Sequence, residues 1–262
     1  AAQNRARYVG IRHEQVGASL LDATARLSGR PGVLMVHGGS GLLAASLGVA
    51  AAALDGTPMV VLSATQERKA MENGWWQTLD VQKPVADFVK FQTRVERPDQ
   101  AVAAVRDALR ESVSGKPGVA QIDVPIDVSN EELGADDMPT PVAAAAPLIR
   151  SFPDPQLVVK AAALLRQAER PVLLIGGGAH YSGAGEALMR LVETMHMPVV
   201  NSPTSRGVVP ETHPMVLGCA GIIGYEPVGA AIEEADLVLA IGSLDGGEAG
   251  LEPLIVFTPD TG

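Results

Sequence analysis

Short apolar runs that favour β-structure alternate along this chain with segments whose apolar residues recur every three or four positions, and this alternation constrains the fold most. Uninterrupted apolar strands separated by helices are typical of a parallel sheet that helices cover on both faces. The strands predicted in the first half are Tyr8–Ile11, Val33–His37, Met59–Ser63, Phe88–Thr93 and Val119–Val124. The predicted helices are a periodic stretch around Val16–Leu27 that stops at Gly29, the Ala-rich stretch Leu42–Leu54, and the stretch from Pro98 to about Ser114. We expect the Ala-rich helix to be buried, because it is apolar on nearly every face.

The segment Asn130–Pro153 interrupts the alternation with prolines, acidic residues and a run of four alanines, and it is predicted to be a linker. The alternation then resumes, with helices over about Asp154–Ala168, Ala184–His196 and Pro227–Ala235 and strands over Val172–Ile175, Pro198–Asn201 and Leu237–Ile241. The predicted fold class is therefore α/β, with two doubly wound parallel-sheet domains at residues 1–129 and 154–262. Both ends of the chain stop short of a complete α/β domain, so we expect a piece of a longer protein.

Composition and charge exclude several classes of protein. With 47% hydrophobic and 19% charged residues, the chain is predicted to be folded and not disordered. A net charge of −10 offers no basic field to attract the phosphates of a nucleic acid. The single Cys219 has no partner for a disulfide, and no stretch of 18 uncharged apolar residues could span a membrane. We expect a cytoplasmic protein that binds neither nucleic acid nor membrane.

Residues that follow the predicted strands are the first candidates for a site, because ligands of open α/β sheets bind at the carboxyl ends of the strands. Glu14 is either an acidic residue favoured at a helix start or a carboxylate that moves a proton. Gly38–Gly41 is either a tight turn or a place where a ligand approaches the backbone. Gly176–Gly178 begins like a dinucleotide fingerprint, but Tyr181 stands in place of the third glycine, so a structural turn and a nucleotide contact are equal alternatives.

The predicted loop Thr65–Lys83 holds the remaining candidates. Trp75, Trp76 and Gln77 stand together there in a chain with only 3% aromatic residues. They either face a site or anchor the loop on the core, and anchoring is favoured for Trp75. The five histidines lack the spacing of metal ligands and are mostly expected at the surface or in turns, so no metal site is predicted.

The ordered set of motifs resembles thiamine-diphosphate-dependent enzymes over essentially the whole chain. Arg7–Gln15 resembles the family's RYIGxRHEQ segment, Gly39–Gly41 stands in the place of its Ser-Gly-Pro-Gly, and Ala235–Gly242 resembles its ADLVLxIG strand. Further matches are Gly29–Val33, Gly56–Val60, Ser114–Gly118, Asp123–Pro125, Arg170–Val172, Gly176–Gly178 and Gly207–Pro214. Each motif alone is common, whereas their order is specific.

Within that family the chain is most similar to the branch of 2-hydroxyacyl-CoA lyase and oxalyl-CoA decarboxylase, because Glu67-Arg68 and Gly178–Tyr181 resemble loops of that branch. Acetolactate synthase is the alternative, since Gln77 stands where the glutamine of its FQE segment falls. Two departures are present. Ser40 replaces the proline of Ser-Gly-Pro-Gly, and the GARLNW segment of the CoA branch reads Gly242-Ser243-Leu244-Asp245-Gly246, which counts against a CoA nucleotide held in the usual way.

The resemblance implies an N-terminally incomplete pyrimidine-binding domain, then a Rossmann-like middle domain, with the pyrophosphate-binding domain absent from this chain. It implies that Glu14 is catalytic and binds thiamine diphosphate, where a Glu hydrogen-bonds a ring nitrogen of the aminopyrimidine and favours its imino tautomer. The implied pocket for the pyrimidine ring is formed by Gly38, Gly39, Ser40 and Gly41.

On the same resemblance, Trp76 and Gln77 face the substrate. The middle domain of such enzymes binds FAD, ADP or nothing, and Gly176, Gly177 and Gly178 are its candidate nucleotide contacts. Magnesium and the ligands of the diphosphate are expected in the missing domain. A second copy of the subunit is expected across the active site, which implies a homodimer or a homotetramer.

The implied activity is that of a C–C lyase, decarboxylase or carboligase acting on small 2-keto acids or on substrates of the 2-hydroxyacyl-CoA or oxalyl-CoA type. An acetolactate synthase-like transferase is one alternative. A non-catalytic fragment or a nucleotide-binding α/β module is another. The 262-residue piece alone is expected to be inactive.

Overall fold

The computed structural model describes residues 8–132, 152–221 and 223–243, together with the backbone of residues 254–257. The chain divides into two compact units, Ala1–Leu148 and Ile149–Gly262. The division falls within the segment 130–153 that the sequence predicts to be a linker, and residues 133–151 of that segment lie outside the described residues.

The first unit alternates helices with strands. Its elements in chain order are α1 (Glu14–Ser28), β1 (Gly32–His37), α2 (Ser40–Leu54), β2 (Met59–Thr65), α3 (Arg68–Glu72), β3 (Phe91–Arg94), α4 (Ala101–Val113), β4 (Val119–Pro125) and α5 (Ile126–Ser129). The strands lie side by side in the order β1, β2, β4, β3, and every pairing is parallel. The α/β fold class predicted for this half of the chain is confirmed.

Helices cover both faces of this sheet, because successive side chains of its central strands point to opposite faces. On one face Val61 of β2 lies in a buried cluster with Leu42 and Val49 of α2. On the other face Val60 of β2 lies in a buried cluster with Ala108 of α4. Since the strands are parallel, the carboxyl ends of β1 and β2 share one edge of the sheet, and α2 begins at that edge.

The second unit is a second parallel sheet with helices. Its elements in chain order are α6 (Pro155–Gln167), β5 (Pro171–Ile175), α7 (Gly177–Tyr181), α8 (Gly185–Met195), β6 (Val199–Asn201), β7 (Val216–Cys219), α9 (Glu226–Glu233), β8 (Leu237–Ile241) and β9 (Leu254–Phe257). The strand order is β7, β6, β5, β8, β9, with parallel pairing throughout. The chain therefore changes direction across the sheet between β5 and β8, which is the kind of crevice that binds ligands in doubly wound folds.

The strand expected at Tyr8–Ile11 is wrong. These residues form neither strand nor helix, and Tyr8 is 84% exposed. A strand must pair its backbone N–H and C=O groups with a neighbour. Within the described residues β1 is the edge of the sheet and pairs with β2 alone, so the segment has no strand beside it. Glu14 consequently follows an irregular segment and not a strand.

The Ala-rich helix α2 is less buried than expected. Leu42 and Val49 are almost fully buried, whereas Leu43 is 44% exposed and Leu47 is 65% exposed. A helix that is apolar all round does not reveal in its sequence which side the rest of the unit covers. The first unit buries one side of α2 and leaves an apolar side uncovered.

Candidate functional site

Glu14 lies in the first turn of α1, where the helix begins after the cap residue His13. The His13 ring nitrogen Nδ1 accepts a hydrogen bond of 3.3 Å from the backbone N–H of Gln15, which satisfies one of the free donors at the helix start. The Glu14 side chain is half-buried and reaches the turn between β1 and α2. A Cβ atom placed on Gly41 would lie 3.4 Å from Glu14 Oε1, so the backbone of α2 starts directly beside the carboxylate.

The glycine turn between β1 and α2 has a separate local reason at each position. A Cβ on Gly38 would lie 2.6 Å from the Ala64 carbonyl oxygen, because the backbone passes close to the end of β2. Gly39 has the left-handed φ of 68°, which glycine adopts without strain. A Cβ on Gly41 would also approach the His37 Cβ to 3.3 Å. The turn is thus shaped by packing, and the same packing brings backbone rather than side chains to Glu14.

Gln77 reaches this turn from the segment after α3. Its Nε2 donates a hydrogen bond of 3.2 Å to the Ser40 hydroxyl Oγ, and its backbone carbonyl oxygen would lie 3.2 Å from a Cβ on Gly39. Its φ of 57° is left-handed, which is uncommon and strained for a residue other than glycine. Its Oε1 is buried and has no hydrogen-bond partner among the described residues. A buried acceptor without a partner costs free energy unless water or another group satisfies it.

The two tryptophans do not anchor their loop on the core. Trp75 is 72% exposed and Trp76 is 74% exposed, so the anchoring favoured for Trp75 is wrong. The short helix α3, which lies where the sequence predicts a loop, and the buried side chains of Val81 and Val85 hold the segment instead. The Trp76 ring lies 6.4 Å from the His37 ring, measured between centroids and inclined by 55°.

The structure therefore brings together, at the carboxyl edge of β1, candidates that are far apart in sequence: Glu14, the turn Gly38–Gly41, and Trp76 with Gln77. His37 joins them and was missed as a site residue. Its Nδ1 contacts the Gly38 carbonyl oxygen at 2.7 Å. The signal that could have revealed it is its place as the last residue of a predicted strand, immediately before the glycines.

The second glycine run, Gly176–Gly178, lies at the carboxyl end of β5 in the second unit. A Cβ on Gly176 would lie 2.2 Å from the Gly242 carbonyl oxygen, and the Gly178 N–H donates a hydrogen bond of 2.9 Å to that same oxygen. The ends of β5 and β8 thus pack backbone against backbone. This packing explains why residue 176 is a glycine, and it engages the N–H group of Gly178. The turn therefore has a structural role at these two positions.

The carboxyl end of β6, next to this turn, carries an unsatisfied amide. Asn201 is 1% exposed, and neither its Oδ1 nor its Nδ2 has a hydrogen-bond partner among the described residues. Thr204, three residues further along the chain, borders the glycine turn, since its Oγ1 would be 3.0 Å from a Cβ on Gly177. A buried amide without partners costs free energy unless another group satisfies it. No signal in the sequence singled out Asn201.

Within the described ranges, no three side chains of His, Cys, Asp or Glu are grouped so that they could hold a metal ion. Among the same residues, no helix is both long enough and apolar enough to cross a membrane.

Two family models match the chain. Residues 1–84 match the thiamine pyrophosphate enzyme N-terminal TPP binding domain, and residues 158–255 match the thiamine pyrophosphate enzyme central domain. The first match contains Glu14, the turn Gly38–Gly41 and Gln77, and the second contains Gly176–Gly178 and Asn201.

Curated proteins of several activities are similar to this chain. The probable acetolactate synthase large subunit of Methanocaldococcus jannaschii is 34% identical over 237 residues, which cover 90% of this chain and 40% of that protein. The 2-hydroxyacyl-CoA lyase 1 of Homo sapiens is 30% identical over 243 residues, with 93% and 41% covered. The oxalyl-CoA decarboxylase of Escherichia coli is 30% identical over 240 residues, with 90% and 41% covered. The chain thus spans about two fifths of the length of these relatives.

Proposed function

Because the chain belongs to the thiamine pyrophosphate enzyme family, of which it carries the N-terminal and central domains, we propose that it is part of an enzyme that cleaves or forms C–C bonds with thiamine diphosphate. The observation that carries the proposal is the contact of Glu14 with the glycine turn, where Oε1 lies 3.4 Å from the position of a Cβ on Gly41. Because Gly41 has no side chain, the backbone at the start of α2 comes directly beside this carboxylate.

The residues at this edge fit the pyrimidine half of the cofactor. Glu14 would hold or transfer a proton at a carboxylate oxygen, within hydrogen-bond reach of a ring nitrogen. Gly38, Gly39, Ser40 and Gly41 would line the ring, because their turn leads into the start of α2 beside the Glu14 carboxylate. When bound, thiamine diphosphate supplies the electron sink that C–C bond cleavage requires.

Gln77 and Trp76 would face the substrate. The amide Nε2 of Gln77 is engaged by Ser40, which leaves the buried Oε1 free to accept a hydrogen bond from a donor group. The exposed indole of Trp76 beside His37 offers an apolar wall. Small 2-keto acids, 2-hydroxyacyl-CoA and oxalyl-CoA are the substrate types proposed, and acetolactate synthase-like transfer is the alternative.

The test is an assay of the full-length enzyme with a 2-keto acid, a 2-hydroxyacyl-CoA and oxalyl-CoA as separate substrates. Each is measured with thiamine diphosphate and magnesium, with either omitted, and with a chelator. Turnover of at least one substrate that requires the cofactor is expected. Turnover that persists in cofactor-free enzyme, or none with any substrate, would contradict the proposal.

We also infer that magnesium and the ligands of the diphosphate belong to a further, pyrophosphate-binding domain, and that a second copy of the subunit completes the site. The uncovered apolar side of α2, with Leu43 and Leu47, supports a partner on this face. Light scattering of the full-length protein would then give a dimer or a tetramer. Leu47→Asp should lower the mass of the assembly in solution, because it places a charge in the contact with the partner. Val105→Asp, at a 40% exposed position of α4, should leave that mass unchanged.

A nucleotide such as FAD or ADP is proposed at the second unit. The support is the buried amide of Asn201, which lacks partners at the carboxyl end of β6. Gly176–Gly178 stands at the change of direction between β5 and β8, where such ligands bind. Titration of the full-length protein with ADP and with FAD tests this. Asn201→Ala should weaken binding of whichever nucleotide binds, and saturation of neither would contradict the proposal.

A further inference from the structure

One face of the first sheet changes from apolar to polar along its strands. On the face that packs against α1 and α2, β2 and β4 begin with buried apolar residues, and Ser63, Gln121 and Asp123 follow further along these strands, all 0% exposed. On the neighbouring edge strand, Gln92 stands opposite Gln121 and Arg94 stands opposite Asp123. Side chains at these paired positions project from the same face of the sheet.

These side chains form a continuous hydrogen-bond network. Arg94 Nε donates to Asp123 Oδ2 at 2.6 Å, and Ser63 Oγ donates to Asp123 Oδ1 at 3.3 Å. Gln121 Nε2 donates to Ser63 Oγ at 3.1 Å, and Gln92 Nε2 donates to Gln121 Oε1 at 2.8 Å. Burial raises the pKa of Asp123, although the hydrogen bond and charge of Arg94 oppose that shift.

The network extends beyond the sheet into the segment 73–82, which follows α3 and carries the two tryptophans and Gln77. Arg94 Nη2 reaches Asp80 Oδ1 at 3.4 Å, and Gln92 Nε2 donates to the Gln82 carbonyl oxygen at 2.8 Å. Asp80 stands three residues after Gln77. The next residue after Asp80 is Val81, which is 1% exposed and lies in the core.

The other end of the segment is held by a second arginine. Arg68 Nε donates to Asp127 Oδ2 at 2.7 Å, its Nη2 to Glu131 Oε1 at 3.0 Å, and its Nη1 to the Glu96 carbonyl oxygen at 2.9 Å. Between the two arginines, Gln77 is held by its bond to Ser40 and by the turn around it. Its left-handed φ of 57° persists only if the flanking chain is fixed.

We propose that Arg94 is a positioning residue, which holds segment 73–82 on the sheet through Asp80 and thereby keeps Gln77 against Ser40. Asp123 Oδ2 orients the guanidinium by accepting a hydrogen bond from Nε, and Asp80 Oδ1 accepts one from Nη2. If Arg94 served only to compensate the buried charge of Asp123, losing its bond to Asp80 would not change the motion of segment 73–82. The role of Gln77 towards a substrate rests on the proposed function, whereas the position of segment 73–82 can be measured without any substrate.

The sequence provides a probe of the segment. Trp75 and Trp76 are the two tryptophans of the 262-residue chain, and both lie in segment 73–82. In the 262-residue chain, time-resolved anisotropy of tryptophan fluorescence therefore follows this segment alone, on the nanosecond scale of loop motion. Circular dichroism and the Tm of the same samples report the fold separately.

The decisive variants separate the link from the fold. Arg94→Met removes both bonds, Arg94→Lys restores a charge, and Asp80→Asn leaves the bond between Arg94 and Asp123 intact. Asp107→Asn is the matched control, because Asp107 pairs with Arg106 and Arg110 on α4, outside the segment. We expect the amplitude of the nanosecond component to rise about twofold in Arg94→Met. It should rise less in Asp80→Asn, fall back in Arg94→Lys, and stay at the parent value in Asp107→Asn.

An unchanged decay in folded Arg94→Met or in Asp80→Asn would overturn the inference. If Arg94→Met fails to fold, Asp80→Asn decides alone, since its side chain is 41% exposed and tolerates the exchange. Loss of substrate turnover is not a readout here, so a wrong proposal for the function of the site would leave this result standing.

Discussion

Gly242 and Gly183 share a left-handed backbone, with φ of 68° and 64°, but their surroundings differ. A Cβ on Gly242 would lie 2.3 Å from the backbone nitrogen of Ala179, whereas nothing lies within 4 Å of one on Gly183. Gly183→Ala should therefore cost only the left-handed strain of ~1–2 kcal/mol. Gly242→Ala should cost a further ~1–3 kcal/mol, because the backbone must move. Urea unfolding of both variants tests this, and equal losses would contradict the close packing of Gly242 against the start of α7.

At this scale the sequence predicted some site residues and missed others. Glu14 and the turn Gly38–Gly41 could be found because each stands where a predicted strand or helix begins or ends. His37 was missed although it stands immediately before the glycines, and Asn201 could not be distinguished, since a polar residue at a strand end is ordinary and only the tertiary structure shows what it faces. The polar network of Gln92, Arg94 and Asp123 has no local sequence signal, because its members are brought together by strand pairing.

Among the elements, regular alternation made most of the fold predictable. The predicted strand Leu237–Ile241 is confirmed residue for residue, and the predicted helix Ala184–His196 differs from α8 by one residue at each end. The short elements α3 and β7 were missed. α3 has only five residues, too few to show a helical period, and β7 contains Gly218, whose φ is 121°.

Asp236 fixes the start of β8 to the turn before β5. Its carboxylate accepts hydrogen bonds from the backbone N–H groups of Glu169 at 2.6 Å and Arg170 at 2.8 Å. These bonds hold the pKa of Asp236 below its ordinary 3.8. The folded state therefore releases this proton more readily than the unfolded state, so the stabilisation is present above pH 3.8 and is lost as the pH falls below it.

We expect Asp236→Asn to be less stable than the parent at neutral pH, with a difference that shrinks as the pH falls below 3.8. Asp87→Asn, at an exposed position of the first unit, should match the parent throughout. Urea unfolding across this pH range provides the measurement. A difference for Asp236→Asn that is constant, or that grows on acidification, would show that the carboxylate does not act through these two bonds.

For the molecule as a whole, the chain matches the N-terminal TPP binding domain and the central domain of thiamine pyrophosphate enzymes, and we propose that it holds only the pyrimidine side of the cofactor site. The net charge of −10 repels an anionic cofactor at long range. One hydrogen bond contributes ~1 kcal/mol, and association itself costs several kcal/mol. The 262-residue chain alone should therefore bind thiamine diphosphate more weakly than about 0.1 mM.

Calorimetric titration of the chain with thiamine diphosphate and magnesium checks this expectation, with the full-length enzyme as the positive control. A submicromolar dissociation constant for the chain alone would show that the diphosphate site lies within these residues. In that case Gly38–Gly41 or Gly176–Gly178 would be the phosphate-binding turn.

The central claim is that Glu14 is the carboxylate that serves the cofactor, and turnover of full-length Glu14→Gln tests it most directly. Glutamine keeps the length and hydrogen-bonding shape of the side chain but cannot give up the proton. Glu186→Gln is the matched control, because Glu186 also stands in the first turn of a helix and its side chain is 96% exposed. With thiamine diphosphate bound in all samples and circular dichroism unchanged, turnover of Glu14→Gln should fall by about two orders of magnitude or more, and Glu186→Gln should keep the parent rate. Near-parent turnover of cofactor-loaded Glu14→Gln would contradict the account.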